Sequence, residues 1–167
     1  PPPPPPPLFQ AVDGILDFHC SLVGSEMCIR DRLGEARIRR AGRHVTIVAW
    51  HDMLRRSLAA ADLLATDGID AEVLDPVTVS PLDTDTLVAS VSRTGACVVV
   101  EEAPVSGGLG AEIGAVLMEQ AFGWLDRPLV RLGIPDSPIP MAEHLAQALV
   151  PSVDDIVSAV RSLMGHR

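Results

Sequence analysis

Val98-Val99-Val100-Glu101-Glu102-Ala103-Pro104-Val105-Ser106-Gly107-Gly108-Leu109-Gly110-Ala111-Glu112-Ile113 decides the fold of this chain. A run of β-branched residues ends in two acids, a glycine-rich turn follows, and a helical pattern opens at Leu109. A short apolar run bounded by turn residues reads as a buried strand, and a strand that feeds a helix through a tight turn is the repeating step of a parallel sheet. Residues 97–101 are therefore predicted to be the most deeply buried strand. Residues 109–122 are predicted to be a helix with Ile113, Val116, Leu117 and Ala121 inward.

The same grammar extends in both directions. Upstream, residues 35–40 can form a short edge strand, Ala41-Gly42-Arg43 a turn, and residues 45–50 a compact apolar strand. This pair is predicted to be an antiparallel hairpin at one sheet edge. Residues 51–66 carry a helical period, with Leu54, Leu58, Ala61 and Ala65 on one face, Asp52 as N-cap and Gly68 just past the end. Residues 71–75 form the next strand. Ser80-Pro81-Leu82-Asp83 closes its loop, and Asp83 caps a helix with Leu87, Val88 and Val91 that ends at Gly95. Downstream, residues 129–132 form a further strand, and Pro135, Pro138 and Pro140 exclude regular structure after it. Ser152, with Asp155 three residues on, opens a last helix through a capping box, its apolar stripe being Ile156, Val160 and Leu163. Strands alternating with helices predict an α/β domain, its sheet mostly parallel and covered on both faces.

The chain has 167 residues, enough for one domain with a real core, and 47% of them are apolar. No apolar run approaches the roughly 20 residues of a membrane span. A net charge of −9 argues against nucleic-acid binding and suits a basic protein partner. All 13 cationic side chains are arginine, which excludes a Schiff-base or P-loop lysine. Cys20, Cys28 and Cys97 are sparse and form no Cys-x-x-Cys pair, which points to a reducing, cytoplasmic setting.

Residues 1–32 read differently. Pro1 to Pro7 can only form polyproline II, and Ser21 to Arg32 resembles translated sequencing-adapter sequence. A targeting peptide would lack the acids Asp13, Asp17, Glu26 and Asp31. This leader, with His19, Cys20 and Cys28, is set apart as low-complexity and disordered, and residues 33–167 are taken as the domain.

Two groups of residues invite a chemical reading. Gly107, Gly108, Gly110 and Gly114 look like a phosphate-cradling loop at a helix N-terminus. The steric alternative is preferred. Gly107 and Gly108 allow a sharp turn, while Gly110 and Gly114 allow helix and sheet to approach. The loop does not follow the first strand, and no acid follows a strand about 20 residues on, as a dinucleotide site requires. Glu101 and Glu102 are adjacent on a strand and face opposite ways, so they cannot converge on one substrate atom. One is expected to cap the loop amides and the other to be solvated. His44, His51, His144 and His166 have no metal-ligand spacing, and no Gly-x-Ser-x-Gly elbow is present. Trp50 and Trp124 read as core or interface anchors. Asp83, Asp85, Glu119, Asp126, Asp154 and Asp155 read as helix faces and caps, or as part of an acidic docking patch. No catalytic, cofactor-binding or metal-binding residue is assigned.

Ser80-Pro81-Leu82-Asp83, the stretch from Glu102-Ala103-Pro104 to Ile113, Pro135-Asp136-Ser137-Pro138-Ile139-Pro140 and Pro151-Ser152-Val153-Asp154-Asp155-Ile156 together resemble one family. It is the C-terminal, transketolase-like domain of the beta subunit of the thiamine-diphosphate-dependent decarboxylating component of 2-oxoacid dehydrogenases, pyruvate dehydrogenase among them. The resemblance runs from about Leu33 to Leu163. Transketolase and deoxyxylulose-phosphate synthase, with a similar domain, rank second, and a free-standing anion- or nucleotide-binding module is the rival of another class.

The resemblance implies a three-layer α/β/α fold with a five-stranded, mostly parallel sheet and an antiparallel first edge strand. It implies an intact enzyme that oxidatively decarboxylates a 2-oxoacid on thiamine diphosphate and Mg, passing the acyl group to lipoyl. The cofactor would lie between an alpha subunit and the beta subunit's other domain, and its Gly-Asp-Gly motif is absent here. This chain is thus expected to be an inactive fragment that assembles with the alpha subunit and a second beta subunit and docks the acyltransferase core's subunit-binding domain. Glu119, Trp124 and Asp126 are its candidate interface residues, and exposure of Trp124 and Leu125 would lead to self-association. His51, where the family has glycine, and Met141, where it has an aromatic residue, depart from the pattern.

Overall fold

The computed structural model describes residues 34–165. The leader, with His19, Cys20 and Cys28, and the tail residue His166 lie outside them. Five strands form one sheet in the order β1-β3-β2-β4-β5. They are β1 (Arg37–Arg40), β2 (Val45–Ala49), β3 (Ala71–Asp75), β4 (Cys97–Pro104) and β5 (Val130–Ile134). β1 runs antiparallel to β3, and every other pairing is parallel. Five helices connect or close the strands: α1 (His51–Thr66), α2 (Thr84–Thr94), α3 (Leu109–Gln120), α4 (Glu143–Gln147) and α5 (Val153–Met164). A 3-10 turn, Phe122–Trp124, follows α3.

Strand alternation makes the three layers. Val45, Ile47, Ala49, Val73, Val98 and Val100 point to one face, where Met53, Leu64, Ile156 and Val160 of α1 and α5 cover them. Val48, Leu74, Cys97 and Val99 point to the other, beneath Leu87 and Val91 of α2 and Ile113 and Leu117 of α3. Both faces are dry, which is why β2 and β4 read as continuous apolar runs. Among the polar groups that enter the second layer, Thr46 and Glu72 are satisfied, as burial demands. Thr46 Oγ1 bonds Ser90 Oγ at 2.9 Å and Thr94 Oγ1 at 2.8 Å. Glu72, 1% exposed, accepts from Ser90 Oγ at 2.5 Å and pairs with Arg93.

The predicted hairpin is wrong. β1 pairs with β3, with Ile38 opposite Leu74 and Arg37 opposite Asp75, and never with β2. The segment at Gly42 is a crossing and not a hairpin turn. A Cβ there would overlap the Glu72 amide nitrogen and the Ala71 carbonyl carbon, so only glycine lets the chain pass the start of β3 on its way to β2.

Helix α1 matches its predicted bounds, but its details differ. Its N-cap is Trp50, with no side-chain cap. Asp52 lies in the first turn, where Arg55 and Arg56 donate to it. Its buried face is Met53, Leu54, Ser57, Ala60, Ala61 and Leu64, while Leu58 is only partly covered and Ala65 is exposed. The Asp83 cap (to Thr86 N, 3.0 Å) and the Ser152–Asp155 capping box are as expected. His51 adopts φ +53, a left-handed conformation that glycine takes without strain. It is the position where the family resemblance implied glycine.

Candidate functional site

The glycine loop sits at the C-terminal ends of β4 and β5, between Pro104 and α3. Gly107 has φ +75 and open space around it, which makes it the turn residue. Gly108, the N-cap of α3, offers no side-chain cap. Glu101 fills that role from the neighbouring strand. It is 1% exposed, and its Oε2 accepts from the Gly110 amide at 3.1 Å. Glu102, one residue on, is exposed.

The other three glycines lie against this carboxyl or its surroundings. A Cβ at Gly108 would stand 2.5 Å from Glu101 Oε1 and 2.6 Å from the Pro104 carbonyl oxygen. At Gly110 it would stand 2.7 Å from the same Oε1, and at Gly114 it would stand 3.0 Å from Leu129 Cδ2. The loop is tied down at its tip: Ser106 Oγ bonds Asp136 Oδ2 at 2.5 Å, Arg131 Nη1 donates to the Val105 carbonyl at 2.8 Å, and Val105 N donates to the Ile134 carbonyl at 3.2 Å.

Electrostatically, the N-terminus of a 12-residue helix is a place that attracts an anion, and here the Glu101 carboxyl occupies it. Burial pushes the Glu101 carboxyl above the usual glutamate range, while the Gly110 amide, the Arg131 charge and the Leu109 amide pull the other way. A phosphate at the α3 N-terminus would have to compete with this carboxyl for the Gly110 amide.

The remaining titratable residues do not converge. The His44 ring nitrogen Nδ1 accepts from the Asp70 amide at 2.9 Å, while His51 and His144 are exposed on different helices. Among the described residues no cluster of three His, Cys, Asp or Glu is placed to hold a metal ion. Cys97 is wholly buried in β4, and burial pushes its thiol up to about 12.

Exposed apolar side chains lie elsewhere, some of them at the end of α3. Met118, Phe122 and Trp124 are 50%, 66% and 63% exposed. Beside them runs a groove of about 710 Å³ whose walls include Gly114, Met118, Phe122, Leu125, Leu129 and Arg131. Of the three candidate interface residues, Glu119, Trp124 and Asp126 are all exposed. Asp126 also folds back, its amide donating to the Gly95 carbonyl at 2.8 Å. Met118 and Phe122 escaped the sequence reading. The signal was present: Ala111, Gly114, Met118 and Phe122 recur at helical spacing beside the inward stripe, so the helix is apolar over more of its circumference than one sheet face can cover.

Residues 34–156 match the family model described as transketolase, C-terminal domain. The pyruvate dehydrogenase E1 component subunit beta of Rickettsia felis is 41% identical over 130 residues, 78% of this chain and 40% of that protein. The mitochondrial subunit beta-2 of Oryza sativa subsp. japonica is 43% identical over 129 residues, 77% of this chain and 34% of that one. The chain therefore spans well under half the length of these curated relatives. Among solved structures, a split gene transketolase in the form of an inactive beta4 tetramer superposes with a TM-score of 0.70 at 34% identity, over 82% of this chain and 44% of that one. A 2-oxoglutarate:ferredoxin oxidoreductase from Magnetococcus marinus matches at TM-score 0.52 and 12% identity, over 93% of this chain and 24% of that one, a likeness of fold alone.

Proposed function

The chain belongs to the transketolase C-terminal domain family, and from that premise we propose that it is an assembly and partner-docking domain of a 2-oxoacid dehydrogenase beta subunit. The intact enzyme would decarboxylate a 2-oxoacid on thiamine diphosphate and Mg and hand the acyl group to lipoyl, while this chain supplies surfaces and no reacting group. The names of the relatives support this parentage and favour pyruvate as the substrate. The observation that carries the docking role is the uncovered flank of α3. Met118 and Phe122 line a groove and stand in solvent, as does Trp124, and exposed aromatic and methionine side chains of that kind are enriched at protein interfaces.

The partners that suit it are the alpha subunit, a second beta subunit and the acyltransferase core's subunit-binding domain. The exposed acids Glu119 and Asp126 and a net charge of −9 favour a basic surface on the incoming partner. The structural neighbour's own state, an inactive beta4 tetramer, supports self-association of the chain on its own. Among the described residues no helix is long and apolar enough to cross a membrane, and the sparse cysteines favour a reducing cytoplasm.

A chimera tests the proposal. Residues 34–156 replace the matching segment of the Rickettsia felis subunit, which is then co-expressed with its alpha subunit. The complex is expected to assemble and decarboxylate pyruvate, and the 167-residue chain alone to show no turnover. A folded chimera that stays apart from its partners, or thiamine-dependent turnover by the chain alone, would overturn it.

A further inference from the structure

The Glu101 carboxyl sits among three bare α-carbons. Its Oε1 lies beside the Cβ positions of Gly108 and Gly110, at 2.5 and 2.7 Å, and its Cγ lies 3.4 Å from that of Gly133. Oε2 has the Gly110 amide. Oε1 has no hydrogen-bond partner among the described residues, and the Pro104 carbonyl oxygen approaches the same bare point at Gly108, to 2.6 Å. Both oxygens thus border the Cβ position that Gly108 leaves bare, next to a carboxyl that is 1% exposed, and if the acid is ionised neither can donate to the other.

The occupant of that spot can be a metal ion, a water molecule or a proton. The charged side chain whose field reaches Glu101 is Arg131 of β5, and α3 presents the Leu109 and Gly110 amides at its positive end. Both repel a metal ion. The acids nearest in sequence, Glu102 on β4 and Glu112 on α3, are exposed, and β2 brings only Ala49 alongside, opposite Val100. Water needs room and two to four polar partners, and the space left by the missing Cβ atoms is filled by the carboxyl itself. A proton needs neither room nor further partners.

We propose that Glu101 is a proton-operated clasp of the glycine loop: it holds its proton in the resting fold and releases residues 105–108 when it ionises. Ionisation leaves a charged, buried oxygen with no partner among the described residues, which is relieved if the loop opens and admits water. Opening frees the Ser106–Asp136 contact and the Arg131 bond to Val105, and so moves one wall of the groove beside α3. Burial, the largest influence, raises the pH at which the proton leaves, against the Gly110 and Leu109 amides and the Arg131 charge, which lower it.

The test is a carbon-13 NMR titration of the full chain labelled at glutamate side-chain carboxyls, run upward from the ordinary glutamate value of 4.5. One carboxyl is expected to keep its protonated shift after the others have ionised, to connect through bonds to residue 101, and to vanish in Glu101→Gln. Over the pH range below the clasp's midpoint, opening of residues 105–108 should grow roughly tenfold per pH unit in the wild type, following the ionised fraction. In Glu101→Gln it should stay flat. All carboxyls titrating together, a retained signal belonging to another residue, or equal pH dependence in the two proteins would overturn the proposal. If Glu101→Gln fails to fold, the through-bond assignment in the wild type decides alone.

Discussion

Replacing Gly110 with alanine sets a gain against two losses, and the geometry says which wins. Alanine is favoured over glycine inside a helix by about 1 kcal/mol. Against this, the new Cβ would lie 2.7 Å from Glu101 Oε1, 3.2 Å from its Cδ and 3.3 Å from Val99 Cγ1. Overpacking of this kind costs about 1–3 kcal/mol. Driving the carboxyl aside also breaks its bond from the Gly110 amide, worth about 1 kcal/mol more. The expected net loss is about 1–3 kcal/mol. Gly114→Ala is the internal control. Its Cβ meets only Leu129 Cδ2, at 3.0 Å, a methyl on a half-buried side chain that can yield, so the helix gain offsets the contact and stability stays within about 1 kcal/mol of wild type. Urea unfolding of the unliganded chain checks both, with the midpoint of Gly110→Ala falling by roughly 1 M for a 2 kcal/mol loss. If the glycines existed to admit a ligand, Gly110→Ala would be as stable as Gly114→Ala and only binding would suffer. That result would refute the steric account.

Gly42→Ala would push a Cβ into the Ala71–Glu72 backbone, which no rotamer change can relieve. We expect a loss above about 3 kcal/mol in urea unfolding, or no folded protein at all. Asp83 caps α2 and accepts from the Ala36 amide as well, so Asp83→Ala should cost about 0.5–2 kcal/mol. The carboxyl of Asp83 is held below its ordinary 3.8 by the Thr86 and Ala36 amides, which outweigh the opposing effect of burial. A depressed folded value contributes stability above 3.8 that disappears as pH falls through it, so the Asp83→Ala deficit should shrink toward zero in acid denaturation curves taken below pH 3.8. Cys97, its thiol pushed up to about 12, should resist alkylation in the native chain and react on unfolding, read by mass at the peptide containing it. Replacing both Phe122 and Trp124 by glutamate should lower the sedimentation coefficient to that of a monomer, while leaving the urea midpoint unchanged at dilutions where the wild type is also monomeric, since both side chains stand in solvent.

Much of the fold was legible because its signals are local. The Asp83 cap, the Ser152–Asp155 box and the apolar runs of β2, β3 and β4 each follow from a few neighbouring residues, and each lies where the sequence put it. The partner of β1 was not legible. An Ala-Gly-Arg turn between two short strands is the same whether the second strand lies beside the first or beyond a third. Only the distant Ala71–Glu72 backbone, pressed against Gly42, distinguishes them. The face of α1 was misjudged for a related reason: Ser57 is buried beneath neighbours that arrive from elsewhere in the chain, while Ala65, though apolar, is left outside. Helix α4, five residues after a proline-rich stretch, is too short to carry a period of its own. The Glu101 arrangement was half visible. Adjacent acids on a strand must diverge, and one amide-capping acid follows from that, but the glycine packing around its carboxyl requires β4, β5 and α3 to be brought together.

The central claim is that the loop at Gly107–Gly110 is closed by the chain's own carboxylic acid and captures no cofactor. Titrating thiamine diphosphate with Mg into the isotope-labelled full chain tests it most directly. The account predicts that the Gly107, Gly108 and Gly110 amide resonances stay fixed up to millimolar ligand. Saturable shifts at those three amides, with protection of the same positions from exchange, would contradict it.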